Sequence, residues 1–355
     1  MKTAAYQEAL DAYGNPLHEF SVEPMQGGLI NQSYKVTSKY SGESFLLQKI
    51  NESVFTDPSA VQSNYENIWK YLRDNETGFL IPEPKYFPGD TALFCDSSDH
   101  YWRVFEFIYG SQSFSSPQHI MQAKTAAKVF ALFTSCLVDF DTDELNNTIP
   151  GFHDLSLRYK QFEQSIHQHQ FERLKKASPI IDELRKRERY VNLYDVFTES
   201  KEFPKRVMHH DAKIRNILFD EDSGNVICPV DFDTCMPGYF FSDLGDMIRS
   251  MAGSVGENDT ETENLHIRKD YYEAILEGYL EDMNEQLTGS EKKYIHYAGP
   301  LIIYMQSLRF ITDYLNGDIY YKTAYAEQNF DRARNQLTLL QRLEEFLNAA
   351  YQFKS

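Results

Sequence analysis

The hydrophobic positions of this chain follow two different periods, and the change from one to the other divides the sequence. Early in the chain, alternating positions predict strands at 33–37 and 44–50, joined by a hairpin turn at Gly42. Two more strands are predicted at 92–95 and 101–108. The first third of the chain is therefore expected to be rich in β-structure.

Helical spacing dominates the rest of the sequence. An early helix is predicted from Pro58 to about Arg73, because proline suits a first turn, where its missing donor is not needed. A β-rich insert at 206–233 interrupts a mostly helical region that begins near residue 117. The helices predicted in that region span 117–138, 155–173, 178–196, 266–284, 290–315 and 325–350.

Two segments without clear periodicity indicate how the chain is organised. Gly110–Phe114 is a natural crossover, so two lobes are predicted, 1–109 and 110–355. The polar, acidic segment 253–264 predicts a mobile loop. The expected fold class is α+β, with a small antiparallel β-rich first lobe and a larger, mostly helical second lobe.

Composition excludes several classes of protein. With 355 residues, 42% hydrophobic and 25% charged, the chain is long enough for two lobes and a large core. A net charge of -18 argues against nucleic acid as a partner, since proteins that bind it carry basic surfaces. No signal-peptide core and no apolar run of about 18 residues is present, so no membrane association is expected. The four cysteines lack metal-type spacing, which favours reduced thiols in a cytoplasmic protein.

The most informative motif is His209-His-Asp-Ala-Lys-Ile-Arg-Asn216, which has the form His-x-Asp-x-Lys-x-x-Asn. An apolar run that ends in Asp231 follows it, with Asp231 fifteen residues after Asn216. This constellation is typical of the catalytic loop and metal site of protein-kinase-like phosphotransferases. An ordinary polar turn between two strands is the alternative. Within the loop, His209 is expected to brace the backbone and His210 to be incidental.

Each polar residue of the motif has a chemical role in this interpretation. Asp211 is the candidate general base that orients the attacking hydroxyl, and Lys213 is expected to reach the γ-phosphoryl group as charge develops. Asn216 and Asp231 are the candidate Mg²⁺ ligands, because both supply hard oxygen donors. Asp233 is two residues further on, and on an extended strand it would face the same way as Asp231.

The first lobe contains candidates for gripping the nucleotide phosphates. Gly27 and Gly28 lie between two predicted strands, where glycines let the backbone N–H groups approach phosphates. Asn31 and Ser33 continue this loop. A plain hairpin turn is the alternative interpretation. Lys49 ends the following strand and is a candidate cation for the phosphates, with a solvated strand-end lysine as the alternative.

Three further residues complete the nucleotide site that the sequence predicts. Glu66, on the helix after Lys49, is the candidate partner that would orient that lysine, although it would equally suit a surface position. Glu106 and Ile108 lie in the segment expected to connect the lobes. There, backbone N–H and C=O groups rather than side chains would contact the adenine edge.

Several segments together resemble the aminoglycoside phosphotransferase/choline kinase family, and in particular its N-acetylhexosamine 1-kinase branch. The resemblance extends over about residues 27–321. It is carried by Gly28-Leu-Ile-Asn-Gln-Ser-Tyr34, Leu46-Leu-Gln-Lys-Ile-Asn51, the catalytic loop 209–216, Val230-Asp-Phe-Asp-Thr-Cys-Met-Pro-Gly238, Asp243-Leu-Gly-Asp-Met-Ile-Arg249 and Leu308-Arg-Phe-Ile-Thr-Asp-Tyr-Leu-Asn-Gly-Asp-Ile-Tyr320. The loop lacks the dense Gly-x-Gly-x-x-Gly pattern of protein kinases, a departure that gives Ser33 and Lys49 more of the phosphate binding.

The resemblance implies which residues bind the acceptor. By it, Asp231, Asp233 and Arg309 would lie near a sugar, and Tyr320 and Tyr321 are weaker candidates for stacking on that sugar. Without the resemblance, Arg309 and the aspartate four residues later would be read as an ordinary surface ion pair. The five tyrosines between 304 and 325 suit a neutral polyhydroxy ligand better than a polycation.

The sequence therefore predicts a cytoplasmic kinase that uses ATP and Mg²⁺ and acts as a monomer or weak homodimer. Its expected acceptor is the anomeric hydroxyl of an N-acetylhexosamine or related sugar. Two alternatives stay open at this point. One is a kinase of another small hydroxyl acceptor, such as an aminoglycoside, choline or homoserine. The other is a non-catalytic nucleotide-binding protein with a kinase fold.

Overall fold

The computed structural model describes residues 6–14, 19–25, 30–167 and 171–353. The chain divides into two compact units. The first unit comprises Met1–Gln112, Asp139–Pro150 and Leu218–Met236. The second unit comprises Ser113–Val138, Gly151–Ile217 and Pro237–Ser355. The domain boundary near residue 109 stays a prediction.

The strands belong mostly to the first unit. They are β1 (Phe20–Pro24), β2 (Gln32–Ser38), β3 (Ser44–Lys49), β4 (Pro84–Lys85), β5 (Phe94–Cys95), β6 (Tyr101–Glu106), β7 (Ser111–Gln112), β8 (Arg206–Met208), β9 (Ile217–Asp220), β10 (Val226–Pro229) and β11 (Met236–Gly238). The main sheet has the order β1-β2-β3-β6-β4, with β5 also paired to β6, and these strand pairs are antiparallel. The β-meander predicted from alternating positions is confirmed.

The β2–β3 hairpin fixes the register of the main sheet. Thr37 pairs with Ser44, and Gln32 pairs with Lys49 at the other end of the hairpin. Gly42 lies in the connecting turn with φ of 74°, a left-handed conformation that glycine adopts without steric cost. Leu47 and Val36 are fully buried in the core on one face of this sheet. The alternation therefore determines which side chains enter the core.

The helices are α1 (Gln7–Ala12), α2 (Pro58–Asp74), α3 (Ile120–Cys136), α4 (Leu155–His167), α5 (Phe171–Arg185), α6 (Arg189–Glu199), α7 (Phe241–Met251), α8 (Lys269–Met283), α9 (Gly289–Lys293), α10 (Ala298–Leu315) and α11 (Gln328–Tyr351). Helix α2 begins as predicted: the Asp57 carboxylate accepts from the Ala60 N–H at 3.0 Å, and Pro58 is in the first turn. Among the described residues, no helix is long and apolar enough to cross a membrane.

Three predicted helices are interrupted. The segment predicted as 155–173 and 178–196 forms three helices, because α5 continues through Pro179 and the chain turns between Arg185 and Arg189. The segment predicted as 290–315 breaks at a short 3₁₀ turn, Ile295–Tyr297, before α10 begins. Periodicity continues across such breaks, so it does not locate them.

The acidic segment 253–264 forms hydrogen bonds and an ion pair with helices of the second unit. The Asn335 side-chain amide donates to the Gly256 and Asp259 carbonyls, at 3.0 Å in both cases. Glu257 of this segment forms an ion pair with Arg249 on α7. The sequence predicts a mobile loop here from composition alone; these long-range bonds instead fasten it to α7 and α11.

Helix α10 lies at the centre of the second unit, with most of its side chains buried. It packs closely on α7, which carries several polar residues of the site described below. A Cβ atom added to Gly245 of α7 would lie 2.4 Å from the Ala298 carbonyl oxygen. A glycine is therefore required where the two helices cross, and this close approach fixes the position of α7.

Candidate active site

The predicted catalytic loop follows β8 in the second unit, and its backbone is held by a residue from another helix. The Asp243 carboxylate, in the first turn of α7, accepts from the His209 N–H at 2.8 Å and the His210 N–H at 2.7 Å. Burial raises the pKa of Asp243 to about 7, against the opposing effect of these two donors. Sequence reasoning assigned Asp243 no role; an acidic residue in a first helical turn was the available signal.

The polar side chains of the loop converge on Asp211. Lys213 forms an ion pair with one carboxylate oxygen of Asp211. The Asn216 amide donates to the other oxygen, and also to the Asp211 carbonyl, at 2.9 Å in both cases. The side chain of Asp211 is 25% exposed, which leaves it accessible to a ligand.

The electrostatic surroundings keep Asp211 ionised. Partial burial raises the pKa of this carboxyl, but the charge of Lys213 and the hydrogen bonds from Lys213 and Asn216 outweigh it and lower the pKa overall. An ionised carboxylate can accept a hydrogen bond from a hydroxyl group and then its proton. The residue predicted to be the base therefore has the charge that this role needs.

A second group of charges surrounds Lys213. Arg249 donates to Asp246 at 2.7 Å and pairs with Glu257, so that the guanidinium is compensated on two sides. Burial lowers the pKa of Lys213, but the charges of Asp211 and Asp246 outweigh it and raise the pKa overall. Lys213 is therefore held as a cation. No residue of this second group was predicted from sequence, although the resemblance included the segment that contains Asp246 and Arg249.

The two histidines of the loop are both buried and differ in their contacts. His209 packs edge-on against Phe130 at 5.0 Å, and its Nδ1 accepts from the Asp211 N–H at 3.3 Å, consistent with the bracing role predicted for it. His210 has φ of 63°, and its Nδ1 lies 3.1 Å from Nδ1 of His153. The His210 ring thus packs against His153, and the expectation that His210 is incidental to the chemistry stays a prediction.

The second acidic segment lies in the first unit, after β10. Asp231 is exposed and adopts a left-handed conformation with φ of 67° and ψ of 56°, and a 3₁₀ turn follows at Phe232–Thr234. Asp233 is only 2% exposed. The prediction that both aspartates face the same way on an extended strand is wrong, because the chain leaves the strand before Asp231.

Asp233 is the centre of a buried polar network. Asn31 donates to one of its carboxylate oxygens at 2.6 Å, and Arg103 pairs with the other. Arg103 also donates to Gln48 at 2.9 Å. The backbone carbonyl of Asp233 accepts from the Thr148 hydroxyl at 2.8 Å. Both carboxylate oxygens of Asp233 therefore have protein partners, whereas Asp231, two residues earlier in the chain, is exposed.

The predicted phosphate loop is only partly within the described residues. Gly27 and Gly28 lie outside them. The side-chain amide oxygen of Asn31 accepts from the Asn51 N–H at 2.9 Å. Because the amide nitrogen of the same side chain donates to Asp233, both of its polar atoms are bonded to protein groups. The Ser33 hydroxyl accepts from Gln48 at 2.9 Å, and half-buried Lys49 pairs in register with Trp102.

The remaining nucleotide-site candidates are spread over the first unit. Glu66 accepts from Gln62 at 3.1 Å, and within the described ranges no ion pair joins Glu66 to Lys49. The Glu106 carboxylate accepts from the Glu83 N–H at 2.8 Å, and the Glu106 N–H donates to the Glu83 carbonyl at 2.9 Å. The Ile108 carbonyl accepts from Ser111 at 2.7 Å.

Of the residues predicted to bind the acceptor, Arg309, Tyr320 and Tyr321 lie together in the second unit, whereas Asp231 and Asp233 belong to the first. The Arg309 guanidinium carbon lies 5.7 Å from the Tyr320 ring centre and 5.6 Å from that of Tyr321. It also lies 4.9 Å from the ring centre of Phe152. Arg309 donates to Gln306 at 3.1 Å. Phe152 was missed by sequence reasoning, because nothing near it in the chain indicates a site.

Asp313 holds the tyrosines in place instead of pairing with Arg309. Its buried carboxylate accepts the N–H groups of Ile319, Tyr320 and Tyr321 at 3.0, 2.8 and 2.9 Å. Asn329 adds a fourth bond at 2.9 Å. The loop after α10 is therefore fixed by one carboxylate, with Tyr320 53% exposed beside Arg309.

The oxygen donors for a divalent cation fit Mg²⁺ chemically. Asn216 uses its amide nitrogen on Asp211, which leaves its side-chain oxygen as the candidate ligand, and Asp231 supplies an exposed carboxylate. Among the described residues, no group of three or more His, Cys, Asp or Glu forms an all-protein metal site. Mg²⁺ commonly takes one or two protein oxygens together with substrate phosphates and water.

Comparison with known proteins places these observations in context. The sequence model of the phosphotransferase enzyme family, abbreviated APH, matches residues 21–284. The fold is similar to that of a microcompartment-associated aminopropanol kinase, at 15% identity over 97% of both chains with a TM-score of 0.61. It is also similar to an aminoglycoside phosphotransferase from Alicyclobacillus acidocaldarius, at 14% identity over 98% of both chains with a TM-score of 0.61.

A third similar structure contains a nucleotide product. Spectinomycin phosphotransferase in complex with ADP and spectinomycin matches at 14% identity, over 97% of this chain and 100% of that one, with a TM-score of 0.58. At this level of identity these structures establish the fold alone. The protein-kinase-like α+β fold predicted from the order of elements is confirmed.

Proposed function

This chain belongs to the phosphotransferase enzyme family and is a small-molecule kinase, and we propose that it transfers the γ-phosphoryl group of ATP to the anomeric hydroxyl of an N-acetylhexosamine or related hexose. The product would be a sugar 1-phosphate. The arrangement around Asp211 is the observation that carries the proposal, because it places an ionised carboxylate between a cation and an amide.

Asp211 would orient the acceptor hydroxyl in line with the phosphoryl group and accept its proton. Lys213, held as a cation beside it, would offset charge on the transferring group. In this reaction positioning and charge neutralisation matter more than covalent chemistry by the protein. The Asp243 carboxylate would keep the loop backbone in its working conformation through its bonds to His209 and His210.

A bound Mg²⁺ would supply positive charge that offsets the negative charge of the nucleotide phosphates. Asn216 and Asp231 are the proposed ligands. The ATP phosphates are proposed to be bound by the segment that includes Asn31, Ser33 and Lys49. Two structures of spectinomycin phosphotransferase contain ADP or AMP, which supports an adenine nucleotide as the donor, whereas a similar aminoglycoside 2'-phosphotransferase contains GDP.

The sugar assignment rests on the cluster around Arg309. Aromatic rings with polar tips, such as Tyr320 and Tyr321, suit a ligand that has apolar ring faces and hydroxyl groups. Arg309 would donate hydrogen bonds to sugar oxygens. The resemblance to the N-acetylhexosamine 1-kinase branch supports the same acceptor. Asp231 is proposed to contact the sugar, whereas Asp233 would support the site through Arg103 and Asn31.

A ³¹P NMR experiment tests the proposal directly. The protein is incubated with MgATP and either N-acetylglucosamine or N-acetylgalactosamine, with the Asp211→Asn variant as the matched control. A new resonance split by the anomeric proton is expected for the native protein alone. ADP without any sugar phosphate would contradict the sugar 1-kinase assignment and leave family membership intact.

An amino-alcohol kinase is the second candidate, favoured by the similar structures of aminopropanol, ethanolamine and choline kinases. Choline, ethanolamine and 1-amino-2-propanol should therefore be assayed beside the sugars. Turnover of these acceptors without turnover of sugars would favour this candidate. Such acceptors carry a positive charge, which Arg309 would repel.

A further inference from the structure

Two half-buried arginines that contact the same phenylalanine in the second unit lack a carboxylate partner. Arg158 on α4 and Arg309 on α10 have no ion pair within 4.0 Å among the described residues. Arg249 nearby, in contrast, pairs with both Asp246 and Glu257. Charged groups that are partly removed from water are stabilised by an opposite charge, so this couple favours an anionic partner.

The two guanidinium groups meet at Phe152. Arg309 lies over the Phe152 ring at 4.9 Å, and Arg158 donates to the Phe152 carbonyl at 3.3 Å. Arg158 also donates to Gln161 at 3.0 Å, while its buried Nε has no hydrogen-bond partner within the described part of the chain. Burial, together with the charge of Arg309, lowers the pKa of Arg158 to about 10.

The groups around Arg158 and Arg309 do not neutralise the positive charge of the two guanidinium groups. The Asp154 carboxylate acts on Arg158 from a distance, since it accepts from the Leu157 N–H at 2.9 Å as a helix cap and forms no ion pair with the arginine. Burial, reinforced by His210, lowers the pKa of His153 well below its usual value, so that this neighbour is neutral. Burial raises the pKa of the nearby Tyr321 phenol, so this neighbour is also uncharged at neutral pH.

The arginine pair is close to the catalytic loop within the same unit. Phe152 stacks on His153 at 4.7 Å, and His153 contacts His210 through their Nδ1 atoms at 3.1 Å. His210 immediately precedes Asp211.

We propose that Arg158 and Arg309 form an acceptor subsite for an anionic group, so that the preferred acceptor is a hexose that carries a carboxylate or a phosphate in addition to its reacting hydroxyl. This inference rests on the proposed sugar kinase function and specifies the acceptor further. A planar guanidinium binds either anion through two parallel hydrogen bonds. The same positive charge selects against acceptors that carry an ammonium group.

Acceptor competition tests this subsite. The steady-state parameters of the native protein are measured with N-acetylglucosamine, glucosamine, glucuronate and N-acetylglucosamine 6-phosphate. We expect kcat/KM to be highest for one of the two anionic sugars and lowest for glucosamine. A preference for glucuronate would identify the carboxylate as the anion, and a preference for the 6-phosphate would identify the phosphate.

Substitution of Arg158 tests whether this residue causes the preference for anionic sugars. Arg158→Gln should lower kcat/KM for the anionic sugar about 10- to 100-fold, mainly through KM, because one charge-assisted hydrogen bond is lost. The neutral sugar should change by less than about threefold, since a neutral partner gains less from a guanidinium. Arg158→Lys should restore part of the loss. Arg185→Gln serves as the control, because Arg185 on α5 is an arginine that already has a carboxylate partner, Glu163 on α4.

The outcomes separate this inference from the proposed function. Turnover of neutral and anionic sugars with equal efficiency, unchanged in Arg158→Gln, would overturn the subsite and leave the sugar kinase standing. If no sugar is phosphorylated, the proposed function fails. The subsite is then decided by calorimetric binding of the same sugars, and equal binding of neutral and anionic sugars to native protein would overturn it.

Discussion

The two acidic segments of this protein contrast in how they use their carboxylates. In the loop at 209–216, the side chains of Asp211 and Lys213 are 25% and 32% exposed, and a buried aspartate from α7 fixes the backbone beneath them. In the 231–233 segment, an exposed Asp231 is followed by Asp233, which is 2% exposed and bonded on both oxygens. The loop at 209–216 is therefore supported by a buried carboxylate from another helix, whereas the 231–233 segment contains its own buried carboxylate.

This contrast separates chemistry from support. An accessible carboxylate can meet a hydroxyl or a metal, whereas a buried one is stable only if the surrounding donors satisfy it. Substitution of the two kinds should therefore change different quantities. Losses at Asp211 or Asp231 should appear in turnover, and losses at Asp233 should appear in the free energy of unfolding.

The largest effect is expected at Asp231. Asp231→Ala should abolish Mg²⁺-dependent turnover while leaving the melting temperature within a few degrees, because the side chain is exposed. Activity is measured over a Mg²⁺ titration, and stability by thermal melting. Unchanged magnesium dependence would remove Asp231 from the metal site.

A loss of turnover almost as large is expected at the loop. Asp211→Asn should retain nucleotide binding and lower kcat by about 10²–10⁴, the range typical of removing a general base. Steady-state kinetics measures kcat, and calorimetric titration with MgADP measures nucleotide binding. Near-native turnover in this variant would show that Asp211 is not the base.

Asp233 should behave in the opposite way. Asp233→Ala should destabilise the protein by roughly 3–5 kcal/mol, because it leaves Arg103 buried without its partner. Asp233→Asn keeps the shape and one acceptor oxygen, so its cost should be smaller. Urea unfolding gives both values. An alanine variant with native stability would contradict the supporting role of this carboxylate.

The smallest effect extends the comparison to a third buried carboxylate, Asp96. Burial raises its pKa, but bonds from Trp102 and from His100 outweigh it and lower the pKa to about 2. Its stabilisation is therefore present above the ordinary aspartate pKa and is lost as pH falls toward 2. Asp96→Asn should cost roughly 1–2 kcal/mol at pH 7.

The Asp96 prediction is checked by unfolding at several pH values. The difference between native protein and Asp96→Asn should narrow as the pH falls from about 4 to about 2, since the native carboxylate then becomes protonated. A difference that stays constant over this range would show that the charge of Asp96 does not contribute to stability.

The sequence alone determined the local features of this protein. Alternation predicted the β2–β3 hairpin, and helical spacing with Pro58 predicted α2, because these patterns depend on neighbours a few residues away. The spacing of the catalytic loop predicted a kinase-like phosphotransferase for the same reason. Asp211, Lys213 and Asn216 lie close together in the chain, and a short loop necessarily keeps them close in space.

Only the tertiary structure decided which polar residues are buried and with what partners. Asn31 and Asp233 bond across 202 positions of sequence, and Arg103 reaches Asp233 across 130. The pattern Asp-x-Asp carries no information on which aspartate is exposed; the left-handed backbone at Asp231 decides that. Likewise, Arg158 and Arg309 meet at Phe152 because α4 and α10 pack together, and packing of distant elements follows from the complete core rather than from any local pattern.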